Sequence, residues 1–381
     1  MRITYVCSRS PWPADHGANV RTARMIEALS VADEVSVISS GGTAAGEVPD
    51  GIQVALGFDR EGPSARSRLR LGPAEGIASR SRLSRLESLI SSTGPEVVIW
   101  ENSLLAHASS ANWAPGDGTR PMQIVEFANI ERIRYRAMAS TAGLRGRVEA
   151  TIESWKAIYW EPLVARRADG CIALSHDEQS LLLPCNSNTL LVRNGASPTN
   201  AAPSPRASKI ILAAASWWYE PNRHGLQDFV AKHWGRIKLA VPGVKLRIVG
   251  QGDPGVTGDG IEPLGFVDDL ESEYRKAAVF MAPALSGAGS QLKVMGALEH
   301  ARIVIGPEYL SREAYPGLPP GAIRASDDMA GNVVQVLEAV ESRNAIELEL
   351  LRFRDSNSWL SRASDLRTWM VSVDQERRVQ P

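Results

Sequence analysis

Val279–Gly306 reads VFMAPALSGAGSQLKVMGALEHARIVIG, and the fold of the chain turns on it. The apolar run Val279–Leu285 has the character of a short buried strand. A small-residue loop follows, Ser286-Gly287-Ala288-Gly289-Ser290. Leu292, Met295, Leu298 and Glu299 then recur at helical spacing, and Arg302–Gly306 returns to a buried strand. Strand, glycine loop, helix and strand make one turn of a parallel α/β sheet. The first N–H groups of a helix have no internal partner and carry the positive end of its dipole. Glycines let the backbone approach a ligand closely. Lys293, one turn into the helix, adds a full positive charge. Loop and lysine together read as an anion site suited to a phosphate or diphosphate. A tight βα turn carrying a surface lysine is the plainer reading of the same residues.

The rest of the chain supplies the context. Its 381 residues suit two domains. With 42 basic and 43 acidic side chains the formal charge is −1, so nothing global favours nucleic acid. Cys7, Cys171 and Cys185 lie far apart, the first two in apolar strand-like runs. That pattern suggests reduced thiols and a cytoplasmic protein, not a disulfide framework. The chain enters a strand at once, with no signal-peptide pattern, and no stretch approaches the ~18 apolar residues of a membrane span.

In order, Arg2–Cys7 reads as a buried strand and Ser8–Gly17 as a polar, Pro-rich loop. Ala18–Leu29 reads as a helix with Val20, Ala23, Met25, Ile26 and Leu29 inward. Strands follow at Glu34–Ser39 and Gln53–Leu56. This opening is a Rossmann-like half-sheet, whose ligands gather at the carboxyl ends of strands. Asp15, His16 and Gly17 stand at such an end, although Asp15 reads equally well as a helix cap. Asp59–Arg85 holds the one local excess of arginine. Attraction to an anionic membrane face or an acidic acceptor is one reading, and a solvated loop followed by an ordinary helix is the other.

Further strands are expected at Glu96–Trp100, Met122–Phe127, Gly170–Leu174 and Leu190–Val192. Helices are expected from Glu131 to Ala139 and from Gly146 to Arg167. The second should bury Ile152, Trp155, Ile158, Tyr159 and Leu163, with a kink at Pro162. Ser197–Ser208 (SPTNAAPSPRAS) has the composition of a linker, and the α/β pattern restarts after it. The expected organisation is residues 1–196, a linker 197–208, a second domain 209–358 and a C-terminal helix and tail 359–381.

Several motifs fail on context. Gly250-Gln251-Gly252-Asp253-Pro254-Gly255 matches G-x-G-x-x-G, but Pro254 and the Gly-rich run to Gly260 do not open a helix, so a dinucleotide site is not expected. The chain contains no Walker loop, no H-E-x-x-H, no C-x-x-C and no G-x-S-x-G, and no metal or cofactor is expected.

At this point the chain resembles a retaining glycosyltransferase of the GT-B fold, most similar to glycosyltransferase family four. The opening strand, the loop Pro11–Gly17 and the helix with Arg21 resemble the family's N-terminal loop region. Arg193-Asn194-Gly195 resembles its interdomain turn. Ser216–Asn222 (SWWYEPN) resembles the loop after the first strand of its second domain. Arg247–Gly252, Gly265–Leu270 and Gly287–Leu298 resemble its Ile-Val-Gly-x-Gly segment, its Gly-x-Val-x-Asp-Leu segment, and its donor-phosphate loop and helix. These segments span nearly the whole chain in the family's order. The resemblance implies two Rossmann-like domains facing across a cleft, with the C-terminal helix packing back on the first.

It also implies roles. Gly289 and Ser290 would offer N–H groups to the donor diphosphate, and Lys293 would neutralise it. Gly17 would let the N-terminal loop approach the same group. Val267 and Asp268 would meet the nucleotide base, and Asn222, Arg223 and Gly250 would complete the donor site. Asp15, His16, Glu126 and Asn129 would serve the transferred sugar or the acceptor. A histidine common in relatives near Glu126–Asn129 is missing, and His107 is a weaker candidate. The family's Glu-x7-Glu pair is replaced by Ala288 and Gly296, and Glu299 falls three residues too late to stand in for the second. A ribose hydroxyl without its carboxylate costs about 1–3 kcal/mol.

The expected activity is therefore transfer of a sugar from a nucleotide-diphosphate sugar to an acceptor, retaining and metal-independent. The acceptor would be a glycan, a lipid-linked sugar or a small molecule, with peripheral membrane contact and no transmembrane segment. The alternatives are a degenerate transferase acting as a scaffold subunit, or a nucleotide-sugar epimerase.

Overall fold

The computed structural model describes residues 1–14, 17–40, 48–58, 72–73, 80–113, 120–141, 143–282, 292–312 and 315–379. Asp15, His16, the arginine-rich tract 59–71, and the loop 283–291 with Gly289 and Ser290 lie outside the described residues. The chain divides into two compact units, Met1–Asn194 with Trp359–Pro381, and Gly195–Gly287 with Gln291–Ser358.

The first unit is built on β1 (Arg2–Cys7), β2 (Glu34–Ser40), β3 (Gln53–Phe58), β4 (Val97–Trp100), β5 (Met122–Phe127), β6 (Gly170–Ala173) and β7 (Thr189–Leu191). They form a seven-stranded sheet in the order β3-β2-β1-β4-β5-β6-β7, with parallel pairing throughout. Strands β4, β5 and β6 are buried at every position. A parallel sheet covered by helices on both faces requires such continuous apolar runs. Between the strands lie α1 (Gly17–Ser30), α2 (Arg80–Thr93), α3 (Ser103–Ser110), α4 (Glu131–Thr141), α5 (Leu144–Arg167) and α6 (His176–Leu182). Asn102 caps α3 by accepting from Leu105 N–H at 3.0 Å, and Ser175 and Glu178 form a reciprocal capping box on α6.

The second unit repeats the plan. Strands β8 (Ile210–Ala214), β9 (Lys245–Val249), β10 (Ile261–Gly265), β11 (Val279–Met281), β12 (Ile303–Gly306) and β13 (Ile323–Ala325) form a six-stranded parallel sheet in the order β10-β9-β8-β11-β12-β13. Its helices are α7 (Glu220–Phe229), which continues through a π-helical turn at Val230–Trp234 into α8 (Gly235–Ala240), then α9 (Leu270–Lys276), α10 (Leu292–Glu299), α11 (Met329–Glu338) and α12 (Val340–Ser356). The cap of α11 is Asp328, which accepts from Gly331 N–H at 3.0 Å. The last helix, α13 (Trp359–Val379), belongs to the first unit and packs against α1.

Two expectations change. The stretch of linker-like composition, 197–208, is fastened to the second unit. Glu299 accepts from Ser197 N–H at 2.7 Å, Glu347 accepts from Ser204 N–H at 2.8 Å, and Arg302 donates to the Ala202 carbonyl. The division between units falls earlier, between Asn194 and Gly195. In α5 the expected inward face is reversed. Ile152, Trp155, Ile158, Tyr159 and Leu163 are exposed, while Ala150, Ala157, Trp160 and Val164 are buried. Both faces are apolar, so periodicity alone cannot choose between them.

Candidate functional site

Open parallel sheets bind ligands beyond the carboxyl ends of their strands, where the strand order reverses. In the second unit that point lies between β8 and β11. The residues expected to meet a donor lie on segments that leave these carboxyl ends. The segment after β8 leads to Asn222 and Arg223, the segment after β9 carries Gly250, and the segment after β10 carries Val267 and Asp268. Lys293 follows β11.

Backbone bonds tie the first three segments together. Trp217 N–H donates to the Gln251 carbonyl at 2.8 Å, and Gly250 N–H donates to the Gly265 carbonyl at 2.8 Å. Gly250 has φ +131°, and a Cβ there would collide with the Ala215 carbonyl oxygen, so only glycine fits. Residues after Gly250 form a loop with no helix until α9, so the G-x-G-x-x-G match is not a dinucleotide turn. The tryptophan pair divides its labour: Trp217 is 1 % exposed, with its ring N–H on the Val249 carbonyl, and Trp218 is 74 % exposed.

Lys293 is half-buried, not a surface residue. Its Nζ donates to Asn222 Oδ1 at 2.6 Å, and the Asn222 side-chain amide donates to the Ser216 carbonyl at 3.0 Å. Burial pushes the Lys293 ammonium down to about 8. The cation therefore stands at the switch point with one hydrogen-bond partner among the described residues. An ammonium has three donors.

Gly296 sits on α10, one turn beyond Lys293. A Cβ built there comes within 3.3 Å of the Tyr274 hydroxyl, and its carbonyl lies 2.6 Å from His300 Nδ1. Tyr274 and His300 stack with ring centroids 4.3 Å apart. Glu299 is occupied with Ser197 and does not replace the missing carboxylate. Val267 is half-buried, Asp268 is exposed, and Asp269 caps α9 by accepting from Ser272 N–H at 2.8 Å. Arg223 is half-buried and reaches Glu220 at 3.8 Å.

The first unit has its own switch point, between β1 and β4. There Glu101, which the sequence reading passes over, is buried just beyond β4. It accepts from Ser8 N–H at 2.6 Å and from the Thr22 hydroxyl at 3.2 Å, and burial raises its carboxyl above the usual range. Its one signal in the sequence is an acid placed directly after the apolar run VVIW. Glu126, expected to face a sugar, is also buried, with both oxygens engaged. Arg21 Nε donates to one at 2.6 Å and the Tyr5 hydroxyl to the other at 3.0 Å. Arg21 further donates to Asn194 Oδ1 at 2.9 Å and to the Val192 carbonyl at 3.0 Å. Asn129 is half-buried in the turn before α4. Gly17 begins α1. His107 packs edge-on against Trp160, with ring centroids 5.4 Å apart. Among the described residues no group of three or more His, Cys, Asp or Glu is arranged to hold a metal ion.

Residues 208–339 match the family model described as Glycosyl transferases group 1. No curated protein matches the chain. Among solved structures, sucrose-phosphate synthase from Thermosynechococcus elongatus aligns with a TM-score of 0.70 at 14 % identity, covering 99 % of this chain and 100 % of that one. HepE from Anabaena, in complex with UDP and glucose, aligns with a TM-score of 0.64 at 12 % identity, over 98 % of this chain and 100 % of its own. The lipopolysaccharide outer core galactosyltransferase WaaB aligns at 0.63 and 12 %, over 98 % and 99 %. At these identities the likeness speaks for the fold. The chain has the two-sheet GT-B fold, and residues 208–339, within its second unit, are similar to the Glycosyl transferases group 1 family.

Proposed function

We propose that the chain transfers a sugar from a nucleotide-diphosphate sugar to an acceptor hydroxyl, with retention at the anomeric carbon. One observation carries the reading: a half-buried ammonium, Lys293, held by Asn222 where the order of the second sheet reverses. In the transfer, the bond from the anomeric carbon to the diphosphate oxygen breaks and a bond to the acceptor oxygen forms. The hydroxyl proton passes to the departing phosphate oxygen on the same face. The negative charge that develops on the leaving group is what Lys293 would stabilise. Removal from water strengthens that attraction, and the site needs no rearrangement at the moment of reaction.

The donor residues in this proposal are Asn222, Arg223, Gly250, Val267, Asp268, Gly289, Ser290 and Lys293. Asn222 holds the ammonium in place until the diphosphate takes it over. Asp15, His16 and Asn129 would serve the sugar and acceptor, while Glu126 acts through Arg21 to fix the end of β5. The neighbour HepE is bound to UDP, which makes a sugar carried on uridine diphosphate the first donor to try.

A thermal-shift panel of UDP, GDP, dTDP, ADP and CDP tests the donor site directly. Ligand at a hundred times its Kd adds about 2.7 kcal/mol of stability, enough to read. A shift with one nucleotide, lost in Lys293→Met, supports the proposal. No shift with any of them overturns it and leaves the scaffold reading.

A further inference from the structure

The helix α5 exposes more apolar surface than a covered helix should. Leu144, Val148, Ile152, Trp155, Tyr159 and Leu163 are 82, 53, 47, 65, 63 and 46 % exposed. At 100° per residue these six fall within about 100° of the helix circumference, and at 1.5 Å per residue they run for about 28 Å. The opposite face, with Ala157, Trp160 and Val164, is buried in the core of the first unit. So α5 is apolar on two sides, and core packing accounts for only one. A contiguous exposed stripe of this kind marks a docking surface.

The charges around the stripe select the partner. Arg145 flanks it on one side and Arg147 on the other, Arg166 closes its far end, and Arg136 on the adjoining α4 is exposed as well. The acids of α5 offset these charges only in part, Glu149 pairing with Arg145. Glu153 and Glu161 are buried, Glu161 is pushed up to about 8 by burial, and Glu149 is half-buried with Arg145 beside it at 3.3 Å. Two copies meeting along this face would bring arginines against arginines. An anionic bilayer complements them, and Trp155 and Tyr159 have the apolar body and polar tip that suit the headgroup boundary. Among the described residues no helix is long and apolar enough to cross a membrane, so the contact would lie in the interfacial plane.

We infer that α5 is a membrane-docking helix, which seats the first unit on an anionic lipid surface through the stripe Leu144–Leu163 and its flanking arginines. The inference is independent of the donor site and is read without any turnover.

The test is flotation of the full chain with vesicles of phosphatidylcholine, alone or mixed with phosphatidylglycerol. The expected result is binding to the mixed vesicles that weakens as salt is raised. Ile152→Glu with Trp155→Glu should cut the bound fraction by about tenfold or more, since an acid on the apolar face opposes both terms. Trp155→Phe should retain binding, which separates loss of docking from loss of fold. Arg145→Ser with Arg147→Ser should weaken binding and flatten its salt dependence. No flotation, or flotation unaltered by the paired glutamates, overturns the inference. A dimer in light scattering that these glutamates dissolve, without flotation, overturns it in favour of a second copy.

Discussion

Both sheets reverse their strand order at the same place in the pattern, yet the two switch points carry opposite charge. In the first unit the position beyond β4 holds Glu101, whose oxygens accept from Ser8, Thr22 and Asn102. Beside it Arg21 and Glu126 form a buried pair. In the second unit the corresponding place holds Lys293, with Asn222 as its one hydrogen-bond partner among the described residues. An acid surrounded by donors from its own unit is a completed structure. An ammonium with one such partner among the described residues is what the proposed donor site calls for. The same topology thus serves as scaffold in one unit and as candidate binding site in the other.

The largest effect that sharpens this contrast lies in the first unit. Arg21→Met should destabilise it by about 3–5 kcal/mol, because Glu126 would remain buried without its counter-charge. Urea unfolding measures this, and a loss below about 1 kcal/mol would show that the pair is not structural. Lys293→Met should do the reverse. It removes a half-buried cation, so the melting temperature should hold or rise, while donor turnover falls by about 10²–10³-fold. A large fall in melting temperature with turnover retained would move Lys293 into the scaffold class.

The next effect is roughly tenfold. Gly296→Glu supplies the carboxylate expected to grip the ribose, and should tighten nucleotide binding by about 1–3 kcal/mol in a titration. The Cβ has room if the Tyr274 hydroxyl gives a few tenths of an ångström, and replacing a helical glycine adds its own small stabilisation. Unchanged affinity would mean that the nucleotide approaches α10 by another route.

The smallest effect is the pH dependence. Lys293 titrates near 8 when folded and near 10.4 when unfolded, so the folded state loses its proton first. Stability should therefore rise with pH from about 8 to about 10, as the buried charge is relieved. Donor binding should weaken over the rise through 8, by roughly tenfold at most between pH 7 and pH 9. Opposite slopes in melting temperature and in nucleotide affinity, both absent in Lys293→Met, identify the group.

Much of the fold was legible because parallel strands are buried on both faces. Runs such as RITYVC, MQIVEF and IVIG leave no other reading between turn residues. Strands β10 (IEPLG) and β13 (IRA) give no such signal, because each is short, lies at a sheet edge and is only partly buried. Helix α5 was legible as a helix, but its orientation was not, since a helix with two apolar faces gives no internal clue to which one is covered. The site was half legible. Lys293 was visible from its glycine loop, but its partner Asn222 lies 71 residues away, and no local pattern announces that pairing. Glu126 read as a candidate for chemistry because a polar group at a strand end looks the same whether it faces a ligand or an arginine from another helix.

The terminal helix α13 gives the first unit an unusual history of assembly. Its residues are the last described part of the chain, yet they pack on α1, the first of the described helices. Trp369 presses on Gly170 so closely that a Cβ there would collide with its ring, Arg367 reaches Asp33 at 3.2 Å, and Arg377 donates to the Arg120 carbonyl at 3.0 Å. A ribosome working from the N-terminus releases nearly everything that the first sheet needs, then makes the whole second unit before supplying this last cover. Throughout that interval the nascent first unit waits with an open flank, and nascent chains with exposed apolar surface are what chaperones bind. For the same reason a truncation or bulky fusion near residue 370 would register first in the unit farthest from it in sequence.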